Sequence, residues 1–379
     1  MAGIYIHIPF CKQACSYCDF YFLTKQELRT PFVDSLVEEI KSFGSHPISD
    51  ETIETIYIGG GTPSLLTMEQ LEQIFTALDK TFRLKPIEVT LEMNPDDVTP
   101  EYLTQIQGFG VDRASMGVQS FDEDILRFMH RAHDPKEALK ALEALQLANF
   151  PSYTADLIYG NPGQSEETLS RDIDQLLVFN PPHISAYSLT VESGTRLGKE
   201  VERGVVTPAS DDTVANHFDL VREKLSGSGI EQYEVSNFAK PGKEAIHNSN
   251  YWRHHNYLGL GPSAHSLFWP DDKKAERWKN RSNLKDYLNK DWENVREEQE
   301  TLNLQEMAEE RIMLGLRTKW GVSMDHLKDR YEYQFNDSQM EWLEFQSEEK
   351  MISLKDDIIS FTPSGLRIAD HLVFQLITK

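Results

Sequence analysis

After Cys18 the sequence holds no further cysteine up to its end at Lys379. A disulfide framework is therefore not expected, and the setting that fits is a reducing, cytoplasmic one. No stretch approaches the roughly 20 apolar residues that a membrane-spanning helix needs. The opening residues carry neither a basic n-region nor an apolar h-region, so no signal peptide is expected. Positive charge is also scarce: 38 Lys and Arg stand against 61 Asp and Glu, a formal net charge of -23. That sign excludes nucleic-acid binding through a broad phosphate footprint. It also disfavours unaided attraction to anionic lipid, and its plainest effect is solubility. Internal repeats and low-complexity tracts are absent as well.

What is there begins with the cysteines. Cys11, Cys15 and Cys18 form a C-x3-C-x2-C loop after an apolar strand pattern, Gly3 to Ile8. Thiolates are soft ligands that select iron–sulfur clusters, zinc or copper(I). A cubane cluster normally takes four thiolates, so three leave one iron open for another ligand. Structural zinc would want a fourth Cys or a His. His7 is near, but its place on the strand points it into the fold.

With 379 residues, 39% of them hydrophobic, the chain can bury a sizeable core in two or three domains, or in one large domain with an appendage. From residue 3 to about 190 a strand–loop–helix pattern recurs. Strands are expected at Gly3–Ile8, Ile53–Ile58, Ile87–Met93, Val111–Val118, Tyr153–Ile158 and His183–Leu189. Helices are expected near 31–43, 67–82, 99–107, 123–148 and 165–178, with Thr67 to Gln70 as a capping box and Thr99-Pro100 as a cap before a first-turn proline. Strands alternating with helices argue an α/β fold around a parallel sheet, in which chemistry sits at the carboxyl ends of the strands. There lie Gly59-Gly60-Gly61-Thr62, then Glu92, then Gln119, then Asp156. From about 301 onward three helices, a small β pair and a last helix over 363–377 suggest a winged-helix-like module. The acidic charge argues against its binding DNA.

The Tyr5-Ile-His-Ile-Pro-Phe-Cys11 lead-in, the cysteine loop and Tyr17 before its third cysteine resemble the radical S-adenosylmethionine (SAM) superfamily, in its oxygen-independent coproporphyrinogen oxidase-like branch. Branch members with that oxidase activity carry a fourth cysteine two residues after the third. Here the position is Phe20, which points to the sibling heme chaperones of the HemW type. The resemblance implies a partial (β/α)6 barrel with a C-terminal helical, winged-helix-like domain, divided as 1–200, 201–300 and 301–379. It implies a [4Fe-4S] cluster on Cys11, Cys15 and Cys18, and SAM held by Tyr5, Tyr17, Gly60, Gly61, Thr62, Glu92, Gln119, Arg131 and Asp156. Gly60 and Gly61, lacking Cβ atoms, would let the ligand approach their backbone. Arg131 would pair with a carboxylate.

A second dense stretch, His247-Asn248-x-x-Tyr251-Trp252, matches the motif of the HemW-type subgroup. Imidazole is a common heme ligand, so His247 is the expected heme residue, with His254, His255 and His265 as weaker candidates. The expected function is a heme chaperone that binds cluster, SAM and heme and delivers heme to acceptor hemoproteins such as membrane respiratory enzymes, visiting the membrane surface only for transfer. The rival readings are a coproporphyrinogen oxidase, another radical SAM enzyme of tetrapyrroles, and a plain heme-storage or sensor protein.

Overall fold

The structure, a computed structural model, describes residues 2–379 apart from the Glu293 side chain. Six parallel strands form its centre: β1 (Ala2–Ile8), β2 (Thr52–Gly60), β3 (Arg83–Met93), β4 (Arg113–Gln119), β5 (Ser152–Tyr159) and β6 (His183–Ser188). They neighbour one another in chain order. The crossovers carry α1 (Arg29–Ser42), α2 (Met68–Thr81), α3 (Pro100–Gln107), α4 (Glu123–Phe128), α5 (Pro135–Leu147) and α6 (Glu166–Val178). This is the expected open (β/α)6 arrangement.

Alternation along the strands decides what faces what. On β1, Ile4, Ile6 and Ile8 are buried among the helices' apolar side chains, such as Phe32 and Leu36 of α1. Each such side chain contributes roughly 1.5–3 kcal/mol. Tyr5 and His7 take the other face, in register with Tyr57 and Gly59 of β2. The Thr67 capping box and the Thr99 cap both form, and set the starts of α2 and α3.

Between 123 and 148 the chain differs from the single expected helix. It breaks after Phe128, passes His130 at φ 55°, and restarts at Pro135 with a reciprocal Asp134–Glu137 capping box. The last expected helix is likewise divided, at Arg367 and Ile368.

Residues 190–303 extend the sheet at both edges. After α7 (Arg196–Glu202) and α8 (Asp211–Ser226) come the short strands β7 (Glu231–Gln232) and β8 (Asn237–Ala239), with β8 antiparallel to β6. At the other edge, α9 (Ile246–Trp252) leads to β9 (Asn256–Leu260), which pairs parallel with β1. Then β10 (His265–Phe268), β11 (Lys274–Asn280), the short helices α10 (Leu284–Leu288) and α11 (Trp292–Val295), and β12 (Arg296–Asn303) complete a twelve-stranded sheet. The outermost strand, β12, carries Glu297, Glu298 and Glu300, charges that discourage edge-to-edge pairing.

The C-terminal module holds α12 (Leu304–Leu316), β13 (Val322–Ser323), α13 (Met324–Tyr331), α14 (Asp337–Glu348), β14 (Ile352–Lys355), β15 (Ile358–Phe361), α15 (Pro363–Leu366) and α16 (Ala369–Ile377). Its three strands pair in the order β13-β15-β14. Its core includes Met307, Ile312 and Leu343 and continues onto Leu267, Ala275 and Leu302 of the extended sheet. Among the described residues no helix is long and apolar enough to cross a membrane.

Candidate functional site

The carboxyl ends of the strands open into a cavity of about 480 Å³, within the range of small-molecule sites. Cys11, Cys15 and Cys18 share its wall with Tyr17, Gly60, Gly61, Thr62, Glu92, Gln119, Arg131 and Asp156. Tyr5 does not line it. Its ring lies behind Tyr57, with centroids 6.0 Å apart, and its hydroxyl is 3.1 Å from His7 Nδ1.

The cysteine loop is tied down on three sides. The Cys11 amide donates to the Leu23 carbonyl at 2.9 Å, and the Gln26 side-chain amide donates to the Cys11 carbonyl at 2.8 Å. Ser16 bonds the end of α4 through both its amide and its hydroxyl, to the Met129 and Phe128 carbonyls. Lys12 forms ion pairs with Asp96 and Asp97. Burial pushes the Cys11 thiol up to about 11 and the Cys18 thiol up to about 12. Without a metal these two are neutral thiols, and metal binding would displace their protons. Among the described residues no three Cys, His, Asp or Glu side chains yet converge on one point as a closed metal site would.

Gly61 has a packing reason besides the expected one. A Cβ there would lie 2.7 and 2.8 Å from the Ile8 and Phe10 carbonyl oxygens, so its bareness first serves the packing of the cysteine loop on β2. Gly60, at φ 105°, donates its amide to Glu92 at 3.0 Å, and the Tyr57 hydroxyl donates to the other Glu92 oxygen at 2.7 Å. Burial raises the pKa of Glu92. Burial, reinforced by Glu92, pushes Asp156 up to about 7, against hydrogen bonds from Ser185 and Ser115.

The broken helix supplies Arg131. Its Nη2 donates to Asn94 Oδ1 and to the Gly117 carbonyl, each at 2.9 Å, and its Nη1 is 3.5 Å from both Cys15 Sγ and the Tyr17 hydroxyl. Arg131 Nε and Gln119 Oε1 are buried without a partner. Gln119 sits at φ 65°, in a turn closed by the Ser120 amide on the Val118 carbonyl. A strained backbone that aims an unsatisfied amide into a cavity is a mark of a binding site. The residues present therefore fit the groups expected there. Three thiols line one wall for a cluster, and unpaired atoms of Arg131 and Gln119, with the half-buried Glu92 and Asp156 carboxylates, line the space for a zwitterionic, cationic ligand such as SAM.

Sequence reading places Asn94 among the strand-end residues, and it does line the cavity, but misses Tyr57, Ser115 and Tyr187 on the same wall. Tyr187 stands near the end of its strand, where position alone flags it. The helix break was signalled by Asp134-Pro135-x-Glu137, a start signature inside the presumed helix.

His247 lies elsewhere. It is 1% exposed and plugs the barrel interior beneath Tyr57, the ring centroids 5.2 Å apart. Its Nδ1 is 2.8 Å from the Thr55 hydroxyl and its Nε2 is 2.8 Å from the Tyr251 hydroxyl. Burial pushes it down to about 3, so it is a neutral imidazole. The Glu88 carboxylate accepts from the Ile246 and His247 amides that open α9. His254 is buried against Tyr331, His255 contacts Asn250, and His265 is exposed on β10.

Residues 5–176 match the radical SAM superfamily and residues 302–368 match the HemN C-terminal domain. The heme chaperone HemW of Lactococcus lactis is 33% identical over 97% of this chain and 95% of its own. HemW of Bacillus subtilis is 34% identical over 87% of each chain, and HemW of Escherichia coli 38% identical over 74% of each. The solved structure of the E. coli coproporphyrinogen III oxidase HemN, a radical SAM enzyme, superposes with a TM-score of 0.84 at 20% identity, covering 100% of this chain and 90% of that one. At that identity it speaks for the fold alone. With its cavity lined by cysteines and by unpaired polar groups, the chain belongs to the radical SAM superfamily and, within it, to the HemW family.

Proposed function

We propose that this protein is a heme chaperone that holds a [4Fe-4S] cluster on Cys11, Cys15 and Cys18, binds SAM in the same cavity, and passes heme to acceptor hemoproteins such as respiratory enzymes at a membrane surface. The observation that carries this reading is near full-length similarity to heme chaperones, 33% identity over 97% of the chain. Phe20, on the cavity rim and 64% exposed, supports it against the oxidase reading. An exposed ring there offers a planar ligand a stacking face and supplies no thiol. A bound cluster would provide a low-potential electron and an open iron, while the chain's own residues orient what lies beside it.

His247 is the proposed axial ligand, and the geometry adds a condition. Both ring nitrogens are engaged, so ligation requires Tyr251 to give up Nε2 and α9 to shift. Tyr251→Phe removes that competitor without removing the ring. The deciding experiment is hemin titration of the anaerobically reconstituted protein, followed by the Soret band. The wild type should bind, Tyr251→Phe should bind more tightly, and His247→Ala should lose affinity or change the band. The same sample with SAM and reductant should not convert coproporphyrinogen. Turnover without hemin uptake would leave the oxidase in place of the chaperone. Uptake indifferent to both variants would move the ligand to another histidine, with exposed His265 first.

A further inference from the structure

Where α9 meets the C-terminal module there is a second cavity, of about 150 Å³. Trp252 and Arg253 from the end of α9 face Arg311 of α12, Trp320 of the following loop, and His326 of α13 across it. Among the described residues no acidic side chain lines it, in a chain whose net charge is -23. Arg311 buries Nε and Nη1 without a hydrogen-bond partner. The space for its guanidinium is prepared, because a Cβ at Gly315 would fall on Arg311 Nη1. The second guanidinium, Arg253, lies over the Trp320 ring, 4.7 Å from its centroid. Burial and the Arg253 charge work against the Arg311 charge, with Tyr331 opposing them. Ser323, which lines the cavity, donates a hydrogen bond to Asp357 and accepts one from the His326 amide, so its hydroxyl is engaged away from both arginines.

An unpaired buried guanidinium is costly, and removing one partner of a buried pair is what usually produces it. Two guanidinium forks with an aromatic wall and no carboxylate make a receptor for an oxyanion. We propose that this joint binds a carboxylate or phosphate group between Arg253 and Arg311, and so ties α9 of the barrel to α12 of the C-terminal module. The group has two candidate sources: a free ion, or the propionate arm of a bound porphyrin. The second source rests on the heme reading above, and the first does not.

The test uses the full chain. Phosphate is titrated at constant ionic strength against chloride, with tryptophan fluorescence and thermal unfolding as readouts. The wild type should show a saturable fluorescence change and a rise in Tm on the order of 2–4 °C. Arg311→Met should weaken the response by at least about tenfold and should itself melt higher than wild type without phosphate, since Met fills the volume without a charge. Arg253→Gln, at an exposed position, should weaken the response by several-fold. Equal responses from the three proteins would overturn the proposal. A second arm compares hemin with its dimethyl ester. A preference for hemin that Arg311→Met abolishes assigns the porphyrin propionate, and a preference that it leaves unchanged assigns the free ion. Should the protein bind no hemin, the heme reading falls while the phosphate response still decides the site.

Discussion

At Gly61 a single added methyl group would press on the Ile8 and Phe10 backbone. Gly61→Ala should therefore destabilise the cluster-free protein by roughly 1–3 kcal/mol, measured by denaturant unfolding with no SAM present. A variant of unchanged stability would leave Gly61 only the proposed ligand-contact role. Glu234 makes a different kind of prediction. It is 2% exposed, its Oε1 has no partner, and burial pushes it up to about 7. Its folded pKa lies above the unfolded one, so the folded state binds more protons and stability falls as pH rises from about 4.5 to 7. Glu234→Gln should flatten that slope and be the more stable protein at pH 8, in paired melts at pH 5 and pH 8. Single residues were legible where chemistry is concentrated in sequence. Three cysteines in one loop advertise a soft metal site whatever the fold does. Tyr57 was not legible, because an aromatic on a strand reads as core, and only the register with Tyr5 and the reach to Glu92 give it a task.

Among the elements, the break between α4 and α5 has the largest functional consequence. A continuous helix would carry Arg131 along its own axis, away from Asn94 and Gly117. Asp134→Ala removes one half of the capping box, at a cost of about 1 kcal/mol, and biases the chain toward bridging the gap. SAM affinity should fall several-fold, read by equilibrium dialysis, while the cysteine loop still loads iron. Unchanged affinity would mean that the tie between Ser16 and the end of α4 holds Arg131 in place without the cap. The long periodic helices and the six buried strands were readable because period and burial agree over many residues. The strands from β9 to β12 were not. β9 is five residues long with a glycine inside it, and its partner β1 lies some 250 positions earlier. In β12 the run Arg296-Glu-Glu-Gln-Glu carries the charge of a solvated edge, with no alternation to announce a strand. Their pairing is tertiary, and a local window does not contain it.

For the whole molecule, the barrel and the C-terminal module are joined through apolar surface as well as through the arginine cavity. Leu267, Ala275 and Leu302 belong to the sheet but complete the module's core. A chain ended after Asn303 should therefore expose them, bind a hydrophobic dye and aggregate. A monomeric, dye-silent truncation would show that the barrel closes alone. The sheet order also has a consequence in time. β1 lies between β2 and β9, so the strand that leads into the cysteines is made first and gains its second neighbour only when residues 256–260 emerge. At about 5–20 residues per second, that interval is on the order of 10–50 s of synthesis. Throughout it, one flank of β1 offers unpaired amides and carbonyls to any passing strand. Iron and sulfide supplied during translation would meet a loop whose supporting strand is still half-clothed. Loading of the proposed cluster is then expected only after β9 has paired, and nascent chains stalled before residue 256 should take up none.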